Sequence, residues 1–161
     1  MAGLGLVVLR LALALVFVAH GAQILFGTWS GPGIGAGGLQ NTAALYAALG
    51  LHPEFLLAIL AGVVQLAGGL LIAGGMMTRG AASALVVYLF IGVWKVHLHW
   101  GLFLNWIGAP GRGHGIEYSL VLIGALVCLI LGGGGEWSVD GWRAHSRDRL
   151  AAGRARLRGK L

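Results

Sequence analysis

Residues Gly80 to Gly101 read GAASALVVYLFIGVWKVHLHWG. The first fifteen of these residues carry no charged side chain, whereas the next five, KVHLH, bring a lysine and two histidines. An α-helix needs roughly 20 apolar residues to cross the hydrocarbon core of a bilayer. The stretch therefore predicts a membrane-spanning helix over residues 80–99 that carries a cluster of titratable side chains at one end.

The rest of the chain has the same apolar character. Hydrophobic residues make up 58% of the 161 residues and charged residues only 10%, whereas soluble domains usually carry about 25% charged residues. Three further long apolar segments lie at 4–26, 55–77 and 116–131. Nothing basic precedes Arg10, so we interpret the first segment as a retained span and not as a cleaved signal peptide.

These segments predict an all-α membrane protein built as a four-transmembrane-helix up-and-down bundle with structured outer loops. The bundle would occupy residues 1–142 and a basic cytoplasmic tail would occupy 143–161. Seven of the last nineteen residues are Arg or Lys, and Arg79 occupies the turn between the second and third spans. The excess of basic residues places both termini in the cytoplasm of a bacterial-type inner membrane.

The same orientation turns the loops at 27–54 and 100–115 outward, and the first of them is expected to contain a short amphipathic helix. A basic tail can indicate nucleic-acid binding, but directly after an apolar span it indicates contact with anionic lipid. We therefore predict a lipid partner for the tail and no nucleic acid. The single cysteine, Cys128, lies in an apolar run and is expected to serve packing.

Polar side chains inside apolar helices are costly, so each needs a partner or a function. With the predicted topology, titratable groups from four helices meet in the outer half of the bundle. The predicted site for a quinone or similar ligand consists of His20, Gln23, Gln65, Lys95, His97, His99, Trp106, Glu117 and Tyr118. Trp94 and Trp100 are expected to line the headgroup pocket together with Trp106.

A regular helix would place Tyr88, Lys95 and His99 on one face and turn His97 away from it. The side chain of Lys95 is expected to pair with Glu54 or Glu117, which would reduce the cost of its burial. His97 and His99 diverge by about 200° on a helix, so they form only a weak metal motif and no metal is predicted. The chain also lacks a Walker loop, a dinucleotide fingerprint and an H-E-x-x-H sequence.

Three functions remain open from these residues. The first is a redox membrane subunit in which the polar layer holds a quinone and manages its protons. The second is a non-catalytic scaffold or assembly subunit that docks another membrane protein through the small-residue faces Ala58/Gly62 and Gly69/Ala73. The third is haem b binding between His20 and a histidine of the third span. For Arg10, snorkelling to cytoplasmic phosphates and pairing inside the bundle are both open.

The order of short motifs along the chain resembles the DoxX family of small four-span membrane proteins. The first helix carries Arg10 and ends in HGAQILFG, and the second contains AGVVQLAGGLLIAGG followed by the Thr78-Arg79 turn. VHLHWGLF, the Glu117-Tyr118 pair and GGGGEWSVD then follow in the order typical of the family. The resemblance covers about residues 5 to 142.

The resemblance implies a four-helix membrane bundle that works as a subunit or partner of enzymes. Some DoxX members look like membrane subunits of quinone-linked sulfur oxidation, and others associate with oxidative-stress or thiol enzymes. Because the chain has no cysteine pair and no clear cofactor motif, a redox role would need a protein partner that supplies electrons. Two positions depart from the family, which often has lysine where this chain has Ile24 and glutamate where it has Gln65. The two changes together avoid leaving one buried charge without its partner.

Overall fold

The computed structural model describes residues 2–31 and 37–158 and, within them, shows α-helices and no β-strand. The six α-helices are α1 (Ala2–Phe26), α2 (Leu39–Ala48), α3 (Glu54–Gly74), α4 (Thr78–Gly92), α5 (Glu117–Gly132) and α6 (Val139–Arg158). Helix α4 continues as a π-helical turn, Val93–His97, and a 3-10 turn, Leu98–Trp100. Residues 32–36 of the first predicted loop and the last three residues of the predicted tail lie outside the described residues.

Three helical segments are long and apolar enough to cross a membrane: Gly3–Phe26, Glu54–Gly74 and Thr78–Trp100. They agree with three of the predicted spans to within a few residues, and the all-α membrane fold is confirmed. Helix α5 is also apolar but has only 16 residues, which is shorter than the roughly 20 that a full crossing needs. A fourth crossing therefore stays a prediction.

The outer surface of the bundle is apolar, as a lipid-facing surface must be. Large hydrophobic side chains are more than half exposed along all the apolar helices, for example Leu15 on α1, Leu70 on α3, Val87 on α4 and Leu131 on α5. Such a continuous apolar surface would drive association in water. In a bilayer it carries no such cost, because lipid tails are as apolar as leucine.

Glycines allow α1 and α3 to lie in close contact. A Cβ on Gly21 would overlap the backbone of Leu66, and one on Gly69 would come within 3.0 Å of the Val18 nitrogen. A Cβ on Gly62 would overlap the side chains of Ile24 and Leu25. The small-residue faces predicted to dock another protein are thus largely used inside the chain, since Ala58, Gly62 and Gly69 are buried.

Gly21→Val tests this close contact. The added side chain would force α1 away from the α3 backbone, and overpacking of this kind typically costs about 1–3 kcal/mol. We expect a lower thermal unfolding midpoint in detergent micelles. Gly5→Val is the matched control, because a Cβ on Gly5 meets nothing within 4 Å. Equal effects of the two substitutions would show that the contact does not hold the helices together.

The hydrophobic core lies in the half of the bundle nearest Arg10. Its fully buried members come from four helices, with Phe17 on α1, Ile72 on α3, Leu85 on α4, and Leu126 and Leu129 on α5. We call this half the Arg10 end of the bundle. The opposite half, the His97 end, contains α2, the turns after α4 and the loop 101–116.

Arg10 is buried inside the bundle and does not reach the surface, since only 3% of the residue is exposed. Its Nη1 donates to the carbonyl of Gly134 (2.6 Å), and its Nη2 donates to the carbonyl of Trp137 (2.9 Å) and, more weakly, to that of Ala73 (3.5 Å). Ala73 belongs to the last turn of α3, where carbonyls lack intrahelical partners. The guanidinium therefore joins α1, the end of α3 and the α5–α6 connection.

Asp140 completes the polar contacts of the Arg10 end by capping α4 from a distant part of the chain. Its carboxylate accepts the backbone N–H groups of Met77 (3.0 Å) and Thr78 (2.8 Å) and the hydroxyl of Thr78 (2.9 Å). Burial raises the pKa of Asp140, but the hydrogen bonds from Thr78 and Met77 and the charge of Arg143 outweigh it. The resulting pKa lies below the ordinary value.

A depressed pKa makes the contribution of Asp140 acid-sensitive. The stabilisation is fully present above the unfolded-state pKa of 3.8 and is lost as the pH falls through the lower folded-state value. We expect Asp140→Asn to cost about 1–2 kcal/mol at neutral pH, because the bonds to a charged acceptor are weakened. The difference from wild type should shrink below pH 4. A difference that is constant with pH would contradict the assignment.

Candidate functional site

The His97 end of the bundle encloses a cavity of about 580 Å³ between α2, α3 and α4. Its walls are mainly apolar and include Ile24, Leu57, Ala61 and Leu89. The polar side chains in its lining are Thr42, Tyr46, Tyr88, Lys95, His97 and Ser119. A volume of this size and a largely apolar lining with a few polar groups are typical of small-molecule sites.

The mouth of the cavity faces the lipid-exposed side of the bundle. Leu60, Val87 and Ile91 line it, and each is also about half exposed or more on the surface of the chain. These three side chains belong to α3 and α4, at positions that a bilayer would cover. A ligand dissolved in the membrane could therefore reach the cavity without passing through water.

Two tyrosines of the lining form one polar cluster with Gln65, a predicted site residue that does not itself line the cavity. The phenol of Tyr88 on α4 lies next to that of Tyr46 on α2 and next to the amide of Gln65 on α3. Gln65 is 97% buried, and its Nε2 has no hydrogen-bond partner among the described residues. Burial raises the pKa of Tyr46 and the hydrogen bond with Tyr88 lowers it, and the effect of burial is the larger. Tyr46 is therefore neutral at neutral pH, and its O–H group can donate.

The second polar cluster results from the π-helical turn after α4. Tyr88, Lys95 and His99 were expected on one face of the helix, and this is wrong for His99. The residue that lines the cavity together with Tyr88 and Lys95 is His97. The wider turn at Val93–His97 changes the rotation between successive side chains, which brings His97 round and leaves His99 exposed. Such π-helical turns are frequent at functional sites.

His97 is held in one tautomer. Its Nδ1 lies 2.8 Å from the carbonyl oxygen of His114, and a carbonyl can only accept, so Nδ1 carries the hydrogen. In the neutral ring the other nitrogen, Nε2, is then an acceptor. The loop 101–116 thus orients His97 and fixes which nitrogen is available to a ligand.

Lys95 has no carboxylate partner within 4.0 Å among residues 2–31 and 37–158. The expected pairing with Glu54 or Glu117 is therefore wrong. The carboxylate of Glu54 contacts Nδ1 of His52 at 2.8 Å, and that of Glu117 accepts the backbone N–H of Leu104 at 3.1 Å. The ammonium of Lys95 instead lies 4.8 Å from the centre of the Trp94 ring.

Several predicted site residues do not line the cavity. His20 is exposed on α1, and its Nδ1 contacts the carbonyl of Val16 in its own helix. Gln23 donates to the carbonyl of Trp29 in the first loop, and His99 stacks on Trp100 with ring centres 4.6 Å apart. Glu117 fixes the loop 101–116, while Trp106 and Tyr118 are exposed. Trp94, Trp100 and Trp106 are absent from the lining.

The structure therefore does not bring together the histidines on which the haem alternative depended. His97 faces the cavity, whereas His20 is exposed to the surface and does not line it. A bis-histidine haem site needs both rings to point at one space between the helices. The residues present do not fit haem b, and we take that cofactor no further.

Sequence reasoning missed four polar lining residues: Thr42, Tyr46, Tyr88 and Ser119. Tyr88 was placed on the face of Lys95 but was not assigned to the site. A signal for Tyr46 was available, because the short helix α2 buries Ala43 and Tyr46 follows it by three residues, on the same face. Ser119 lies next to Tyr118, so α5 contributes to the cavity lining through a different residue from the one expected.

Comparison with known proteins supports the family assigned from the motifs. The family model described as DoxX matches residues 5–98, which is more than half of the chain. The match covers α1 to the π-helical turn, and so includes Arg10, Gln65, Lys95 and His97. It ends before the loop 101–116, α5 and the GGGGEWSVD segment. Comparisons with curated proteins and with solved structures give no match.

Proposed function

The chain belongs to the DoxX family, and from that premise we propose that it is a membrane subunit that binds a quinone between α2, α3 and α4. The observation that carries the proposal is the lipid-facing mouth of a cavity that has polar groups at its inner surface. Quinones have an apolar ring and tail with polar oxygens on the ring. They are dissolved in the bilayer, so a laterally open cavity suits them.

The polar groups of the cavity suit a ligand with oxygens on a flat ring. Tyr88 and Lys95 are seven residues apart on one helix, which corresponds to roughly 10 Å along its axis. The two polar clusters are therefore at different depths and can hold different parts of one headgroup. Tyr46 supplies an O–H donor, and Lys95 supplies N–H donors of positive charge.

The orphaned amide of Gln65 further supports a polar ligand in this region. Buried side-chain donors almost always have a partner, and Nε2 of Gln65 has none in the part of the chain that is described. Gln65 does not line the cavity itself, so its amide would reach a ligand only through a water or through the phenol of Tyr88. Positions 24 and 65 also lie close together, since Gly62, one turn before Gln65, contacts Ile24.

Electrons must come from another protein under this proposal. A bound quinone would supply two-electron redox chemistry, and the chain's own residues would bind it, orient it and handle its protons. The sequence contains a single cysteine, which rules out an internal dithiol. We therefore propose that the protein works beside a redox partner in a larger membrane complex.

We place the His97 end outside and the Arg10 end in the cytoplasm of a bacterial inner membrane. Arg79 and the basic residues of α6 lie at the Arg10 end, as the excess of positive charge on the inner side requires. A cleft at that end is lined by Arg79, His145 and Arg149, and Trp142 beside it is exposed. Anionic lipid headgroups are the partner that we propose for this surface.

Photolabelling tests the proposed site. The full chain in lipid nanodiscs would be illuminated with a quinone that carries an azido group on its alkyl chain. We expect label in peptides of residues 42–51 and 84–97, and we expect unlabelled quinone to compete for it. Label spread over the lipid-facing surface without competition would contradict the proposal, and it would favour the non-catalytic scaffold.

A further inference from the structure

We propose that the cavity recognises the reduced, hydroxyl-bearing form of its ligand, a quinol or another lipid-soluble phenol, and that His97 takes the phenolic proton while Lys95 stabilises the oxygen left behind. The inference rests on the proposed function and adds to it the chemical form of the ligand. It stands on the geometry of the two side chains in the cavity wall.

The first support is that the ammonium of Lys95 has no carboxylate partner among the described residues and contacts only the face of Trp94. No carboxylate is among the residues that line the cavity, and the two acidic side chains nearest in the topology, Glu54 and Glu117, have other partners. A cation in an apolar wall without a counter-ion is costly. A ligand oxygen that carries negative charge would offset this cost better than a neutral carbonyl would.

The second support is the orientation of His97. Because Nδ1 donates to the carbonyl of His114, the lone pair of Nε2 is available on the other side of the ring. An acceptor nitrogen suits a hydroxyl, which can donate to it, and does not suit a quinone carbonyl, which cannot. The carbonyl of His114 also stabilises the ring after it gains a proton, since Nδ1–H still donates.

The other titratable groups that face the cavity do not replace this pair. Tyr46 from α2 and Tyr88 from α4 are the only further ones in the lining, and Ser119 from α5 does not titrate. Burial raises the pKa of Tyr46, which makes it a donor and a poor base. Among the described lining residues, His97 is therefore the one that offers a ring nitrogen lone pair to a hydroxyl.

The step involves a proton and no change of oxidation state. The O–H bond of the bound hydroxyl breaks, the proton forms a bond with Nε2 of His97, and the electron pair remains on the oxygen beside the Lys95 ammonium. The products are an imidazolium and a phenolate with an ammonium neighbour. An opposite charge at close range lowers the pKa of an acid by about 1–3 pH units.

A phenol that absorbs differently when ionised makes this step visible. The probe is a dichlorinated phenol with a decyl chain, and its methyl ether is the neutral control ligand. Both would be titrated into nanodiscs of zwitterionic lipid that contain the full chain, and the phenolate band would be followed against pH. We expect the wild type to lower the pKa of the bound phenol by about 1–3 pH units.

Matched variants separate the roles of the two residues from a general effect on structure. Lys95→Arg should keep the shift, whereas Lys95→Met should abolish it and His97→Gln should reduce it. Arg112→Met removes a charge from the exposed loop at the same end of the bundle and should change nothing. The methyl ether should bind Arg112→Met as tightly as the wild type, and competitive binding of the ether by the Lys95 and His97 variants reports an intact cavity.

A wild-type protein that binds the ether and a quinone but leaves the pKa of the phenol unchanged would overturn the inference and leave the proposed function standing. So would a shift that persists in Lys95→Met. If neither the phenol, the ether nor a quinone binds the wild type competitively, the inference and the proposed function fail together.

Discussion

Arg10→Leu is expected to lower the stability of the fold by about 3–5 kcal/mol, the range typical of removing one member of a buried charged network. The substitution leaves the carbonyls of Gly134 and Trp137 without their donor and removes a weaker contact to Ala73. A buried or half-buried carbonyl that loses its donor is costly to leave unpaired. The change should appear as a large drop in the thermal unfolding midpoint in detergent micelles.

Arg79→Leu is the matched control for this substitution. Arg79 is exposed and makes one long hydrogen bond, 3.3 Å from Nη2 to the carbonyl of Leu131. We expect it to cost less than about 1 kcal/mol, as exposed charged contacts usually do. A loss of stability for Arg10→Leu no greater than that for Arg79→Leu would mean that the buried guanidinium does not hold the Arg10 end together.

Ala84→Phe is expected to weaken quinone binding about tenfold or more. Ala84 lines the cavity from α4 and is itself exposed, so a larger side chain at this position fills the mouth without disturbing the core. A tenfold loss corresponds to about 1.4 kcal/mol, which is small for a substitution that occupies the ligand's own space. Titration of a short-chain quinone into nanodiscs measures the effect.

The control for the blocked cavity is Ala67→Phe. Ala67 is an exposed alanine of α3 that does not line the cavity, so the same change in size and hydrophobicity occurs on the lipid-facing surface. We expect it to leave quinone affinity and the unfolding midpoint unchanged. Similar losses of affinity in both variants would indicate that quinone binds to the outer surface of the bundle and not between α2, α3 and α4.

The membrane fold could be predicted because its signal is spread over many residues. A run such as 80–99 contains enough apolar side chains that no single position changes the assignment, and the glycines of α3 directly indicate close helix contact. Even the family could be identified from short motifs in order. Helix α5 is the weakest element in this respect, since its apolar run is shorter than a spanning helix usually is.

The site was harder to predict because it depends on rotation about a helix axis. A π-helical turn at Val93–His97 exchanges the roles of His97 and His99, and no local sequence feature announces that turn. Lys95 lines the cavity, but its expected ion pair was wrong. Which carboxylate a lysine meets depends on loop contacts, here His52 and Leu104, that lie outside the spans.

At the Arg10 end, Asp140 and the glycines around it have a clear role in the structure, although no role was assigned to them from the sequence. Asp140 caps a helix that begins 62 residues earlier in the chain. Two nearby positions require glycine. A Cβ on Gly75 would overlap Ser138 and Arg10, and a Cβ on Gly134 would overlap Thr78 and Ser138. The GGGGEWSVD segment is thus explained by contacts that are distant in sequence, which a local pattern does not reveal.

Quinone that occupies the cavity at the His97 end should remain bound when the protein is extracted gently. The most direct measurement is gentle extraction of the wild type and of Ala84→Phe with native lipids, followed by mass spectrometry of the bound lipid-soluble molecules. We expect quinone or quinol in roughly stoichiometric amount with the wild type and a clear reduction with Ala84→Phe. Equal amounts in both preparations, or no quinone above the level of the bulk lipid in either, would contradict it.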